Sequence, residues 1–284
     1  MNTFDINNLV RENVKQMKPY SSARDEFEDF DTAQMIFLDA NENPFENGVN
    51  RYPDPQQQSV KSILGQNKGL QKKQILLGNG SDEVLDLLFR GFCEPKTDNI
   101  ITLPPTYGMY SVLANLNDVT NKEVLLTNEF QPNVEAILEA VDANTKIIFL
   151  CSPNNPTGNS FSDESVVYLL NNFKGLVVID EAYIDFSTKA SWVNELDAYP
   201  NLVITQTLSK AYGLAGIRLG ICYASEAIIG VLNKIKPPYN VNELTQQRAI
   251  ERLQQPAKID LEIASIIAQR ELLLKALLKV NFVE

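Results

Sequence analysis

The amino-acid sequence predicts an α/β fold, in which a mostly parallel seven-stranded sheet is flanked by helices. Seven short apolar runs recur along the chain, and most are continuous rather than alternating, as in strands that are buried on both faces. Helical patterns separate several runs at the spacing of strand, crossover helix and strand. The predicted strands are ILLG (75–78), NIITL (99–103), EVLLT (123–127), KIIFLC (146–151), LVVID (176–180), LVITQTL (202–208) and GICYA (220–224).

Amphipathic patterns between these runs predict helices at 81–93, 106–116, 133–141 and 162–173. From about residue 241 the pattern is wholly helical, and Pro256 divides it into one helix and a second, longer one. The last residues, VNFVE, look like the beginning of a strand without a partner. The predicted units are an N-terminal segment (1–35), a large α/β domain (36–240) and the incomplete beginning of a smaller domain (241–284).

Composition limits the function classes. The 284 residues are 44% hydrophobic and 21% charged, as in an ordinary globular protein, and carry a formal net charge of −11. This charge disfavours nucleic acids and anionic membranes as partners but allows a small anionic ligand held by a few cations. Because the sequence has neither a signal-peptide pattern nor an apolar run of membrane-spanning length, we expect a cytoplasmic protein.

The chain contains no histidine, which excludes Ser-His-Asp and Cys-His nucleophile systems and most zinc sites, and we expect no bound metal. Proton transfer must then use lysine, tyrosine, a carboxylate or a cofactor. Cys93, Cys151 and Cys222 are far apart and lack CxxC spacing, so we predict buried free thiols in a reducing compartment.

Ligands of open α/β sheets bind at the carboxyl ends of the strands, so the loops that follow the predicted strands are the candidate site. In GNGSDE (78–83), Gly80 allows close backbone approach, and free N–H groups around Ser81 and Asp82 can bind an anion; an ordinary helix cap explains these two residues equally well. In SPNNPTG (152–158), Asn155 offers an amide donor, although the segment also fits a simple turn.

Two further loops carry aromatic or acidic side chains. LVVID ends in Asp180, a carboxylate that is costly to bury unless a cation pairs with it, and Tyr183 can present a phenol to the same pocket. In PPTYGMY (104–110), Tyr107 can stack on a flat ligand, or it can simply pack in the core.

The stretch TQTLSKAYGLAGIRLG (205–220) contains Lys210 and Arg218. Alone, Lys210 would be interpreted as a surface lysine, because lysines usually keep their ammonium in water. Together, the loops predict an enclosed nucleophilic lysine, an anion site with an arginine, an acid facing a cation and an aromatic shelf. Pyridoxal 5'-phosphate requires this combination, because its aldehyde condenses with lysine, its ring nitrogen pairs with an acid and its phosphate needs N–H groups and a cation.

The order of GNGSDE, PTYGMY, NNPTG, DEAYIDF and TLSKAYGLAGIRLG resembles that in the fold-type I pyridoxal-phosphate aminotransferases. Within that superfamily, four less specific motifs are similar to those of the histidinol-phosphate aminotransferase family. They are PYSSARDE (19–26), LDANENPF (38–45), RYPDP (51–55) and PPYNVN (237–242).

This resemblance implies a role for each matching residue. Lys210 would form the covalent link to the cofactor and carry a proton between substrate Cα and cofactor C4′, while Asp180 would pair with the ring nitrogen. Tyr183 and Asn155 would bind the phenolic oxygen, and Tyr107 would stack on the ring. The residues implied to hold the phosphate are Gly80, Ser81, Asp82, Ser209 and Arg218, joined by Tyr52 from a neighbouring subunit in a homodimer; those implied near the substrate are Tyr20, Asn43 and Asn240.

The implied reaction moves an amino group between L-histidinol phosphate and 2-oxoglutarate, in histidine biosynthesis. An aromatic or broad-range aminotransferase and a phospho-amino-acid decarboxylase would share the cofactor residues, and a truncated, non-catalytic cofactor-binding protein is a further alternative. The resemblance also implies a segment beyond Glu284 with an arginine that binds the glutamate carboxylate, so we expect weak cofactor binding or weak activity from these 284 residues alone.

Overall fold

The computed structural model describes residues 4–20 and 36–282, and its centre is a seven-stranded sheet. The strands are β1 (Ile75–Asn79), β2 (Asn99–Thr102), β3 (Thr120–Glu123), β4 (Thr145–Cys151), β5 (Leu176–Asp180), β6 (Leu202–Thr207) and β7 (Leu219–Ala224). Their order across the sheet is β1-β7-β6-β5-β4-β2-β3. Strand β7 is antiparallel to both of its neighbours and the other adjacent pairs are parallel, so the predicted mostly parallel sheet is confirmed.

Strand β3 corrects the sequence prediction, which placed a strand at 123–127. It pairs with β2 only as far as Thr102 opposite Glu123. Pro104 and Pro105 follow β2, and because proline has no backbone N–H, a regular ladder cannot continue there. The apolar side chains of Val124 and Leu126 instead pack against the core from an irregular segment.

Nine α-helices are present in the described residues: α1 (Glu12–Gln16), α2 (Gln58–Lys68), α3 (Ser81–Phe92), α4 (Met109–Leu116), α5 (Val134–Ala140), α6 (Asp163–Asn172), α7 (Glu226–Ile235), α8 (Glu243–Leu253) and α9 (Pro256–Leu277). The helices predicted between the strands are confirmed as α3 to α6, and the predicted break is where α9 begins, with Pro256 in its first turn. Helices α2 and α7 were not predicted. Residues 280–282 form a bend and a turn rather than the expected strand, and 283–284 lie outside the described residues.

Both faces of the sheet are buried, which explains the continuous apolar runs. Along β1, Leu76 faces the side of the sheet that α3, α4 and α7 cover, whereas Ile75 and Leu77 face the side that α2, α5, α6 and α8 cover. No helix among the described residues has the length and apolar character needed to cross a membrane. The division of the chain at 35 and 240 stays a prediction.

The antiparallel strand β7 brings its own beginning to the edge where the other strands end. Leu219 pairs with Asn79 at the end of β1, and Gly220 pairs with Thr207 at the end of β6. Asp180, at the end of β5, lies beside Cys151 and Thr205 of the adjacent strands. The loops after β1, β4, β5 and β6 and the residue before β7 therefore meet at one edge.

Candidate active site

A cavity of about 180 Å³ lies at this edge of the sheet. It brings together nine of the residues that the sequence singled out: Ser81, Asp82, Tyr107, Asn155, Asp180, Tyr183, Ser209, Lys210 and Arg218. Because they come from the beginning of α3, the end of β5 and the loops after β2, β4, β5 and β6, only the sheet topology explains why they share one space. Its lining also includes Cys151, Ala182, Thr207 and Ala215, which the sequence had not indicated as site residues.

One corner of the cavity is suited to an anion. Helix α3 begins at Ser81, and its N-cap, Gly80, has no side chain to satisfy the free N–H groups of the first turn. Gly80 donates its N–H to the Arg218 carbonyl at 2.8 Å. A Cβ at position 80 would lie 2.6 Å from Nη2 of Arg218, and φ of Gly80 is +81°, so glycine permits this close approach.

Asp82 places a carboxylate beside this corner. Its Oδ1 accepts a hydrogen bond from the Tyr107 hydroxyl at 3.2 Å, and its Oδ2 lies 3.4 Å from Nη2 of Arg218. Partial burial, followed by the charge of Asp82, raises the pKa of Tyr107 to about 12, so the phenol remains a neutral donor. Because the ion pair is largely exposed, it contributes little energy and leaves Arg218 available to a stronger anion.

Asp180 is held in the wall of the cavity, with only 3% of its surface exposed. Among the described residues no cation forms a salt bridge with it, and its side-chain oxygens accept hydrogen bonds from neutral donors. The Tyr110 hydroxyl donates to Oδ2 at 2.9 Å, and the Ala182 N–H donates to Oδ1 at 3.1 Å. Burial raises the pKa of Asp180, and these two hydrogen bonds oppose that shift.

Lys210 corrects another expectation, because it is exposed rather than enclosed. It lies beyond the end of β6, in the turn that follows Ser209, and projects into the mouth of the cavity. Its Nζ is 5.4 Å from the centre of the Tyr183 ring. An amine and a phenol therefore lie close together in the same cavity that the buried carboxylate lines.

Five residues implied by the resemblance lie outside the cavity lining: Gly80, which borders it as the N-cap of α3, and Tyr52, Tyr20, Asn43 and Asn240. Tyr20 and Asn43 are exposed, and half-exposed Tyr52 stacks on Tyr239 with ring centres 4.6 Å apart. Of the PYSSARDE motif, residues 21–26 lie outside the described part of the chain.

The side chain of Asn240 binds the protein itself. Its amide donates to the Leu77 carbonyl at 3.0 Å and to Oε2 of Glu83 at 2.8 Å. Its oxygen accepts from Lys236 at 3.1 Å and from Gln57 at 3.4 Å. Asn240 thereby connects the loop before α8 to the end of β1 and the first turn of α3.

Sequence reasoning missed Tyr110, the buried donor to Asp180. Its spacing was a usable signal, because the predicted helix at 106–116 contains both Tyr107 and Tyr110 and residues three apart share a face of a helix. The predicted buried free thiols are confirmed for all three cysteines. Burial, and then the charge of Asp180, raises the pKa of Cys151 to about 12, so this thiol is a poor nucleophile at neutral pH.

Comparison with known proteins agrees with this geometry. The family model for aminotransferase class I and II matches residues 29–283. A histidinol-phosphate aminotransferase from Flavobacterium johnsoniae is 81% identical over 284 residues, which are 100% of this chain and 81% of that protein. One from Flavobacterium psychrophilum is 62% identical over 284 residues, 100% of this chain and 82% of that protein.

Solved structures share the architecture. The histidinol-phosphate aminotransferase from Clostridium acetobutylicum superposes with a TM-score of 0.74 at 24% identity, covering 82% of this chain and 70% of that chain. The predicted fold-type I aminotransferase fold is confirmed. From the family model and the two close relatives, we conclude that the chain belongs to the class I and II aminotransferases and, within them, to the histidinol-phosphate aminotransferase family.

Proposed function

We propose that this chain binds pyridoxal 5'-phosphate in the cavity at the sheet edge and moves an amino group between L-histidinol phosphate and 2-oxoglutarate. One observation carries the proposal: Lys210, Asp180, Arg218 and the amino end of α3 line a single space of about 180 Å³. The names of the close relatives support the choice of substrate.

The residues present fit the cofactor. The free N–H groups of α3 and the Arg218 guanidinium suit a phosphate, and Gly80 leaves room for its approach. Asp180 is a buried carboxylate whose described partners are neutral, and the missing counter-charge is one that a protonated ring nitrogen supplies. Lys210 places its amine at the cavity mouth, where an aldehyde can reach it.

When bound, the cofactor supplies an aldehyde that condenses with an amine and a ring that draws electrons from the substrate. Lys210 would hold it through Nζ and, once released, would move the proton at the substrate Cα. Asp180 would hold the proton on the ring nitrogen. Tyr183 and Asn155 would donate to the phenolic oxygen, and Tyr107 would cover the ring. The phosphate would be held by Gly80, Ser81, Asp82 and Ser209, with Asp82 acting through its backbone N–H, and by Arg218.

Tyr20, Asn43 and Asn240 remain proposed as residues near the substrate. The contacts of Asn240 to β1 and α3 favour an indirect role, in which Asn240 helps to position the corner of the cavity that is suited to an anion. We further propose a cytoplasmic location, because three free cysteines suit a reducing compartment.

The test is an absorbance spectrum of the purified protein with pyridoxal 5'-phosphate, followed by L-histidinol phosphate alone and then by 2-oxoglutarate. We expect the band of lysine-bound cofactor, its loss on addition of the amine and its return with the oxo acid. Lys210→Ala removes the first band, whereas the control Lys174→Ala, at an exposed site, keeps it. Loss of the band with L-phenylalanine but not with L-histidinol phosphate would contradict the substrate assignment.

We also propose a homodimer in which Tyr52 reaches the phosphate of the neighbouring subunit. Apolar side chains are exposed along 36–53, including Ile36, Leu38 and Phe45 at 86%, 87% and 79%. The same segment, with 242–244, lines a groove of about 460 Å³. Monomeric soluble proteins rarely expose so many large apolar groups together, which supports an interface here.

Mixed subunits test this arrangement. A hybrid dimer contains one Tyr52→Ala chain and one Lys210→Ala chain. If Tyr52 acts across the interface, one of the two sites in this dimer has both Tyr52 and Lys210 intact. We therefore expect co-refolded chains to be more active than either variant alone. If Tyr52 acts within its own subunit, or not at all, mixing restores nothing.

A further inference from the structure

Tyr110 is a fully buried tyrosine at the edge of the candidate site, and neither the motifs nor the cavity lining assign it a role. It belongs to α4, and its hydroxyl donates to Oδ2 of Asp180 at 2.9 Å. A phenol in the core needs a partner for its hydroxyl, and here that partner is the carboxylate in the cavity wall.

The ring of Tyr110 has little freedom to move. It stacks on Phe149 with ring centres 4.8 Å apart and planes 13° apart, and Phe149 in turn stacks on Phe89 at 5.6 Å. The edge of Tyr107 meets the Tyr110 ring at 5.6 Å. Packing on both sides therefore points the hydroxyl at Asp180, whose other oxygen is held by the Ala182 N–H.

We propose that Tyr110 is a positioning residue, whose hydroxyl keeps the Asp180 carboxylate ionised and in one orientation toward the ring nitrogen of the bound cofactor. The cofactor part of this inference rests on the proposed function; the pairing of Tyr110 with Asp180 does not. A phenol suits the task because burial raises its pKa well above the ordinary value, so it donates at every working pH. The other ionisable groups around Asp180 are Asp82, Tyr107, Cys151, Tyr183, Lys210 and Arg218.

Two isosteric variants separate this role from packing. Tyr110→Phe removes only the hydroxyl that donates to Asp180. Tyr223→Phe is the matched control, because Tyr223 is also fully buried and its hydroxyl has no hydrogen-bond partner among the described residues. Circular dichroism of both variants checks that the fold is retained.

The first measurement uses cofactor-free protein labelled with ¹³C-aspartate, with the Asp180 carboxyl signal assigned by Asp180→Asn. Loss of a hydrogen bond to a charged group raises the protonation midpoint of Asp180 in Tyr110→Phe by about one pH unit or more. Tyr223→Phe leaves the midpoint unchanged. An unchanged midpoint in Tyr110→Phe overturns the proposal.

The second measurement is the affinity for pyridoxal 5'-phosphate as a function of pH. Tyr110→Phe weakens binding by about tenfold at pH values below its raised Asp180 midpoint, and the loss shrinks above it. Weaker binding with an unmoved midpoint would also overturn the proposal, because packing alone explains that result. A raised midpoint in a protein that binds no cofactor refutes the proposed function while upholding the pairing of Tyr110 with Asp180.

Discussion

Lys61 is a buried charge whose removal should stabilise the protein. It lies on the core side of α2 with only 4% of its surface exposed. Burial, followed by repulsion from Lys236, lowers its pKa from 10.5 to about 8, against the attraction of Asp54. Lys61→Met keeps most of the length of the side chain and removes the charge. We therefore expect the variant to have a higher free energy of unfolding at neutral pH.

The size of the expected stabilisation follows from the pKa shift of Lys61. A pKa that falls from 10.5 to about 8 corresponds to about 3 kcal/mol against the folded state, at 1.36 kcal/mol per unit. Below pH 8 Lys61 is protonated in both the folded and the unfolded state, so the whole cost of burying its charge is present. Between about pH 8 and 10.5 the unfolded chain binds more protons than the folded one, so wild-type stability rises with pH through this window.

Urea unfolding, followed by the fluorescence of Trp192, measures the difference in free energy of unfolding between Lys61→Met and wild type at about pH 7 and about pH 9.5. The advantage of Lys61→Met should be about 3 kcal/mol at the lower pH and smaller by about 2 kcal/mol at the higher one. Lys174→Met, at an exposed lysine, is the control and should change little at either pH. A variant that is no more stable than wild type at pH 7, or whose advantage does not depend on pH, would refute this reasoning.

Three other substitutions test separate features. Gly80→Ala places a side chain at φ +81° and crowds Arg218, so we expect the free energy of unfolding in urea to fall by about 1–3 kcal/mol. We also expect weaker binding of pyridoxal 5'-phosphate, and an unchanged affinity would contradict the assignment of this corner to the phosphate. Ser162→Ala removes the N-cap of α6, whose Oγ accepts from the Ser165 N–H, and should cost about 1 kcal/mol in thermal unfolding with cofactor affinity unchanged. Asn201→Ala removes a buried amide that donates to the carbonyls of Leu170, Phe173 and Gly175, and should cost about 1–3 kcal/mol; a smaller shift in the urea midpoint would mean that water replaces the donor.

Much of the fold was predictable because the relevant signals are local. Strands buried on both faces are written as continuous apolar runs, and six of the seven predicted runs coincide with strands. The run at 123–127 failed because Val124 and Leu126 are apolar for packing, while Pro104 and Pro105 leave no regular partner strand. Helix α2 was missed because its buried face includes Lys61 and Gly65 beside few apolar residues, whereas α7 has an apolar face of Ile228, Ile229 and Leu232, so its local signal was present in the sequence.

The candidate site was likewise predictable where the signal is local, and not where it depends on tertiary contacts. Chain order and loop chemistry were enough to predict nine residues that share one cavity, because ligand sites follow strand ends in α/β sheets. The exposure of Lys210, the neutral donors to Asp180 and the internal contacts of Asn240 were decided by the tertiary structure. Each depends on where a side chain meets residues distant in sequence: Tyr110 and Asp180 are 70 positions apart, and Asn240 and Leu77 are 163 apart. Local residue patterns specify which groups a loop presents, but only packing determines which partner each group finds.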